Sequence, residues 1–333
     1  MKAFLLTRYG KKERLQLSET PKPAPQADEV LIEVHAAGVN QLDLKLRDGE
    51  FKLILPYKLP TGLGHDVAGI VMAVGARVSQ FKVGDEVYAR PADFRIGTFA
   101  EFIAVPEADI ARKPRNLTTT EAGSLPLVAL TAWQALVEVA ELRKGQKVFI
   151  QAGSGGVGTF AIQLAKHLGA YVATTTSAAN TALVKSLGAD LVIDYKTQDF
   201  ETVLSGYDLV LNSQDPKNLA KSLRILKPGG IAVSITGPPT GEFAREFGLP
   251  WYVRFATTLI SFGTRRQAKK LGVRYTFLFM KANGQQLSEI TKLVEAGIIK
   301  PVVDKIFPFA QTNEALAYVE SGRAKGKVVI EVK

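Results

Sequence analysis

Lys147–Gly158 reads KVFIQAGSGGVG, an apolar strand through Val148, Phe149 and Ile150 that runs directly into a glycine turn. Gly153, Gly156 and Gly158, with Val157 between the last two, stand where the chain must bend sharply and let a pyrophosphate approach the backbone. The segment that follows, FAIQLAKHLG, reads as a helix opening at that turn, so its free N–H groups and dipole would hold phosphates. In such a unit the second strand normally ends, about 20 residues past the first glycine, in an acidic residue that bonds the adenosine ribose. Here the ending is Thr174-Thr175-Thr176-Ser177, and no carboxylate follows the turn until Asp190. A ribose 2′-phosphate is therefore not repelled, and the hydroxyls of Thr176 and Ser177, the Asn180 amide and backbone N–H groups can bond it. The expected ligand is NADPH.

The context of the turn extends this reading. A second strand over Tyr171–Thr176, a helix over 180–187, a third strand over 191–195, a fourth over 208–212 and a fifth over 231–235 follow in order, with a sixth expected within 273–281. Strands alternating with helical segments predict an α/β fold with a doubly wound parallel sheet. Residues 1–121 differ. Short apolar strands such as VLIEVHAAGV and DVAGIVMAVG, broken by turn residues, predict a compact β-rich module, and the strand-rich tail KPVVDKIFPF…GKVVIEVK is expected to return to it. The helical stretch LPLVALTAWQALVEVAEL would link the two. The expected division is 1–122 with 297–333 against 123–296.

The chain has 333 residues, 46% apolar and 22% charged, the balance of a soluble globular enzyme. No cysteine is present, which removes disulfides and thiolate metal sites and favours a reducing compartment. The opening MKAFLLTRYG has too short an apolar run for a signal peptide, and the uncharged stretch 122–137 is too short to span a bilayer, so a cytoplasmic location is expected. The net charge of +10 is spread along the chain without a recognition motif, which argues against nucleic acid and suits a cofactor with several phosphates. One local cluster, Arg265, Arg266, Lys269, Lys270 and Arg274, accompanies Trp251, Tyr252, Phe255 and Phe262. That segment is expected to cap a substrate cleft or join a subunit contact, with an anionic membrane surface as the lesser reading.

The segments AAGVNQLDLKLRDG, GHDVAGIVMAVG, FKVGDEVYA, LPLVALTAWQAL, QAGSGGVGTFAIQLAKHLGA, LGADLVIDY, LKPGG and AYVESGRAKGKVVI occur in this order over nearly the whole chain. As an ordered set they resemble the medium-chain dehydrogenase/reductase superfamily, in its zinc-independent quinone oxidoreductase and enone reductase branch. The Asn40, Asp43 and Lys45 pattern is especially similar to that of the plant-type reductases of activated carbon–carbon double bonds. The resemblance implies a GroES-like catalytic domain beside a Rossmann-type NADP-binding domain, and a homodimer formed edge to edge by the dinucleotide sheets or a monomer. Zinc-dependent members carry a cysteine where this chain has Asn40, whereas His35, His65 and His167 are too scattered for a zinc site, so no metal is expected.

Without a metal the implied reaction is hydride addition from NADPH to an enone or quinone, with charge passing to the carbonyl oxygen. By resemblance Asn40 and Lys45 line the cleft beside the nicotinamide, where an amide and an ammonium can donate to a developing enolate oxygen. Thr131 resembles the hydroxyl near the carboxamide; Ser177, Asn180 and Tyr195 match positions around the 2′-phosphate; Ile235 and Lys327 complete the expected cofactor contacts. Two departures stand out: relatives often carry lysine at Asn180, and Asn212-Ser213-Gln214 replaces the usual continuation of the fourth strand. A zinc alcohol dehydrogenase and a non-catalytic NADPH-binding protein of the same fold remain open alternatives.

Overall fold

A computed structural model describes all residues, 1–333. The chain divides into two compact units, 1–130 with 281–333, and 131–280. In the second unit, six parallel strands pair in the order Leu191–Asp194, Tyr171–Thr176, Lys147–Ile150, Tyr207–Asn212, Leu226–Ser234 and Arg274–Phe277. Lys147–Ile150, the first of these six strands in sequence, thus lies in the middle, and strand order reverses beside it. In a doubly wound sheet the crevice at that reversal, outside the carboxyl ends of the strands, is where ligands bind. Helices cover the sheet because its strands carry apolar side chains toward them. Phe149, Ala173, Val210 and Ala232 pack with Leu219 and Leu223 of the Pro216–Ile225 helix and with Phe200 and Leu204. Phe149 meets Phe200 at 4.8 Å between ring centroids.

The first unit is β-rich, as its short apolar strands predict. The long strand Glu29–Val39 is central to a seven-stranded sheet, pairing with Val67–Val74, Phe102–Pro106 and Lys327–Glu331. Val30, Ile32, Ala36 and Ala37 are wholly inaccessible to solvent, which explains why VLIEVHAAGV reads as a nearly continuous apolar run rather than a clean alternation. A smaller sheet pairs Lys2–Leu6 with Gln16–Glu19 and Thr61–Gly62.

The expected boundaries at 123 and 296 both shift. Helix Gly284–Glu295 packs in the β-rich unit, where the Tyr88 hydroxyl donates to the Leu287 carbonyl at 2.7 Å and the Asn116 amide to the Val294 carbonyl at 2.8 Å. Its amphipathic pattern alone predicts a helix; only these partners, roughly 200 residues away in sequence, tell which unit it joins. At the other boundary the expected helical stretch is an α-helix, Pro126–Trp133, continued by a wider π-turn segment, Gln134–Val139. No helix is long and apolar enough to cross a membrane.

Candidate dinucleotide and substrate sites

In the 131–280 unit, the strand Lys147–Ile150 ends at Gln151, and Ala152 turns the chain with φ 51°, a left-handed conformation that a non-glycine residue adopts only at some cost. Two bonds hold this turn to the neighbouring strand: Ala152 N–H donates to Thr175 Oγ1 at 3.1 Å, and Gly153 N–H donates to the Thr175 carbonyl at 2.9 Å. A Cβ on Gly153 would lie 2.1 Å from Thr174 Oγ1, and one on Gly158 would lie 2.4 Å from the Ala152 carbonyl oxygen and 2.7 Å from Gly153 Cα. Glycine is therefore demanded here by close approach of backbone to strand. Helix Gly156–His167 then starts with Gly156 and Val157 in its first turn, and Gly155 at its N-cap provides no side-chain acceptor for the free N–H groups. A phosphate can take those bonds.

The carboxyl end of Tyr171–Thr176 carries the next layer. Thr176 Oγ1 donates to Ser154 Oγ at 2.9 Å, and the Asn180 amide nitrogen lies 3.3 Å from both Ser154 Oγ and Ser177 Oγ. Tyr195 N–H donates to the Thr176 carbonyl at 3.2 Å, which brings the end of the third strand beside this group, with the Tyr195 ring 62% exposed. Thr176, Ser177, Asn180 and Tyr195 are thus brought together with the glycine turn. Ser154 joins them although the sequence reading passed over it; its signal was a hydroxyl inside the turn itself. These neutral donors and acceptors fit the phosphates and adenosine ribose of a pyridine dinucleotide. Ile235 sits just past the fifth strand, its N–H bonded to the Asn212 carbonyl at 3.0 Å, and Thr131 is buried on the Pro126–Trp133 helix. The unusual Asn212 is fully buried, its amide nitrogen donating to Ser234 Oγ at 3.0 Å, so it ties the ends of the fourth and fifth strands.

The β-rich unit holds a second polar centre, and it is closed. The Lys327 ammonium donates to the Val39 carbonyl at 3.1 Å, to Asp66 Oδ2 at 3.0 Å and to Asn40 Oδ1. The Asn40 amide nitrogen donates to Asp66 Oδ2 at 2.9 Å and to the Gly38 carbonyl at 3.3 Å. Asp66 Oδ1 accepts from Leu127 N–H at 2.6 Å, in the first turn of the Pro126–Trp133 helix, where a negative charge meets the positive end of the dipole. Asp43 accepts from Asn40 N–H at 2.8 Å through one oxygen and contacts His65 Nδ1 at 2.6 Å through the other. All of these side chains are buried.

Two of the expected site residues have their polar groups bonded within this centre. Lys327, expected to contact the cofactor, turns its three donors inward to Val39, Asn40 and Asp66. Asn40, expected to donate to a substrate oxygen, has both amide protons engaged by Asp66 and Gly38. Both side chains donate to the buried Asp66 carboxylate. Lys45 stands apart from this centre. It is about one-third exposed, and its ammonium has only a loose pairing with Glu50 at 3.9 Å. The side chains present do not fit zinc: no group of three His, Cys, Asp or Glu residues converges, and the Asp66 charge already has the Lys327 ammonium as its partner.

Comparison with known proteins agrees with both units. Residues 26–115 match the alcohol dehydrogenase GroES-like domain, and residues 187–330 match the zinc-binding dehydrogenase family. The chain is 37% identical over 360 residues to the mitochondrial NAD(P)H oxidoreductase RTN4IP1 of Bos taurus, covering 100% of this chain and 89% of that protein. It is 37% identical over 341 residues to the chloroplastic NADPH-dependent alkenal/one oxidoreductase of Arabidopsis thaliana, covering 99% and 79%. Among solved structures, the quinone oxidoreductase of Coxiella burnetii superposes with a TM-score of 0.87 at 32% identity, covering 100% of this chain and 99% of that one. With a dinucleotide-type crevice of NAD(P) character in one unit and a GroES-like β module in the other, the chain belongs to the medium-chain dehydrogenase/reductase superfamily, as an oxidoreductase of its quinone and alkenal/one reductase branch.

Proposed function

We propose that the protein is an NADPH-dependent reductase of quinones or of the activated C=C bond of α,β-unsaturated carbonyls, and that it works without zinc. The observation that carries the cofactor choice is the Ser154, Thr176, Ser177 and Asn180 cluster beside the glycine turn, neutral where a carboxylate would select NADH. The names of the Arabidopsis and Coxiella relatives support the acceptor class. Bound in this crevice, the nicotinamide supplies a hydride to the electron-poor carbon of the acceptor. The protein's part is to orient that carbon and to receive the charge that moves to the carbonyl oxygen. Around the cofactor, the backbone from Gly153 to Gly158 with Val157 binds the pyrophosphate, and Tyr195, Ile235 and Thr131 are assigned to its adenosine and nicotinamide ends.

Lys45 is the assigned donor to the developing oxyanion, because its ammonium retains free protons while the Asn40 amide does not. Lys45→Ala is expected to lower kcat for an enone by about tenfold, near 1.4 kcal/mol of transition-state stabilisation, with NADPH binding unchanged. Asn40→Ala should instead lower the melting temperature, since it unravels the shell of Asp66. An unchanged kcat in the lysine variant would reassign the donor.

Steady-state comparison of NADPH and NADH over enals, cyclic enones and quinones tests the whole reading, and NADPH is expected to win by a wide margin. Ser177→Asp places a carboxylate against the 2′-phosphate, and the NADPH/NADH ratio of kcat/KM should fall by about thirtyfold, the value of a charge-assisted hydrogen bond lost. An unmoved ratio would place the phosphate elsewhere. Treatment with a strong zinc chelator is expected to leave enone reduction intact. Activity lost to the chelator and returned only by zinc would instead favour an alcohol dehydrogenase, and tight NADPH binding without turnover on any acceptor would favour a non-catalytic binder.

A further inference from the structure

Two consecutive helices of the 131–280 unit, Trp251–Ile260 and Phe262–Lys270, present an outward face that the dinucleotide fold does not use. Trp251 is 77% exposed, Phe255 61%, Leu259 58% and Phe262 56%. Their spacing of four, four and three residues sets them in one stripe, with Tyr252 and Ile260 exposed beside it, while Val253 and Thr257 hold the other face to the protein. Scattered exposed apolar residues need no explanation, but a contiguous stripe of aromatic and aliphatic groups marks a surface that is covered in use.

Beside the stripe, and sharing Phe255 with it, lies a cavity of about 350 Å³ lined by Arg245, Arg254 and Arg265. Glu242 is the one carboxylate in the lining. Arg254 Nε is anchored by the Leu249 carbonyl at 2.6 Å and Arg265 Nη2 by the Thr258 carbonyl at 2.9 Å. These acceptors are neutral, so the guanidinium groups are held in place with their charge uncompensated and with further N–H groups to offer. Arg266, Lys269 and Lys270 continue the positive surface along the second helix, which has no acidic residue.

We propose that this face seats the protein on a bilayer containing acidic phospholipid, its exposed rings and aliphatic groups entering the headgroup boundary and its arginine cavity receiving one phosphodiester headgroup. An in-plane helix with Trp, Phe and Leu on one side and Arg and Lys on the other has the chemistry that such a boundary accepts. Guanidinium groups bind phosphate oxygens in pairs, so the cavity accepts a phosphodiester; the preference for acidic lipid comes from the net negative charge of such a surface, which draws the cluster of cations to it. A second copy of the chain fits less well. A symmetric contact sets the same patch against itself, and six cations would then face six cations. The seat does not depend on which acceptor the enzyme reduces, and its test reads no turnover.

Flotation of the full chain with phosphatidylcholine vesicles, with and without phosphatidylserine, measures it. Binding is expected only with phosphatidylserine, to weaken steeply with salt, and to shift Trp251 emission to the blue. Arg245→Gln with Arg266→Gln should weaken it about twenty-five-fold, from roughly fivefold per basic residue near an anionic surface. Phe255→Ser with Leu259→Ser should abolish it while the melting temperature holds, since both side chains are exposed. No bound fraction at low salt, equal binding to neutral vesicles, or vesicle binding unchanged in both variants would overturn the proposal. So would a dimer that Phe255→Ser dissociates, or tight capture of inorganic phosphate by a protein that ignores vesicles.

Discussion

Replacing Lys327 by methionine is expected to destabilise the protein by about 3–5 kcal/mol, the cost of leaving a buried charge without its partner. The ammonium is the counter-charge of Asp66, which is wholly inaccessible to solvent, at 3.0 Å. Methionine has a stem of similar length, so packing is largely kept and the loss is electrostatic. Asp66 keeps its bonds from Leu127 N–H and the Asn40 amide, but both come from neutral groups. The Asn40 Oδ1 and the Val39 carbonyl lose a donor as well. Adding Asp66→Asn should restore a substantial part of the stability, because the charge then leaves with its partner, and the coupling between the two sites measures their interaction. Urea unfolding of the single and double variants checks this. A loss below about 1 kcal/mol in the single variant would mean that the pair is hydrated and weak, as surface pairs are.

Gly158→Ala is expected to weaken NADPH binding by about a hundredfold, close to 2.7 kcal/mol, and to lower stability by up to about 3 kcal/mol. The added Cβ would fall 2.4 Å from a carbonyl oxygen and 2.7 Å from Gly153 Cα. Both neighbours are backbone atoms of the turn, so no rotamer can relieve the contact, and the turn must open where the pyrophosphate is proposed to bind. Gly153→Ala meets a different obstacle. Its Cβ would lie 2.1 Å from Thr174 Oγ1, a hydroxyl locked to the Ile150 carbonyl at 2.6 Å. Removing that hydroxyl group with Thr174→Ala should recover part of the binding lost in Gly153→Ala, and none of that lost in Gly158→Ala. Fluorescence titration with NADPH separates these cases. Rescue of both variants by Thr174→Ala would show that the turn yields more easily than its contacts require.

The stretch Lys147–Gly158 was legible because everything that makes it a nucleotide turn is local. An apolar strand, glycines at close approach and a helix start occupy about a dozen neighbouring residues, and propensity and pattern agree there. Tyr171–Thr176 is likewise read from a short apolar and β-branched run, and the structure places that strand at those bounds. Glu29–Val39 was legible for the same reason. The helix within 284–295 could be read as a helix, but its allegiance could not, because the groups that hold it, Tyr88 and Asn116, lie far away in the chain.

The polar residues divide along the same line. Ser177, Asn180 and Tyr195 follow the nucleotide unit in sequence and come together with Thr176 and Ser154 as the strand order requires. Asn40, Lys45 and Lys327 bear groups that could each donate to a ligand, and composition does not distinguish them. Lys327 meets Asp66 across 261 residues of chain; its donors go to that carboxylate, to Asn40 Oδ1 and to the Val39 carbonyl, and those of the Asn40 side chain to the same carboxylate and the Gly38 carbonyl. The aromatic and basic residues from Trp251 onward lead to the expectation of a cleft cap or a subunit contact, with an anionic membrane surface as the lesser reading. Their exposure emerges only when the Val253 and Thr257 side has been packed.

Sequence by itself determined the α/β class, the dinucleotide-type turn and the absence of a carboxylate at the end of the next strand, because hydrophobic period, glycine sterics and charge act over a few residues. Tertiary structure alone decided which charges are spent on each other, which helix belongs to which unit and which apolar face is left to the outside. Those outcomes depend on pairs brought together by folding, and burial turns a donor available in the extended chain into one already bonded.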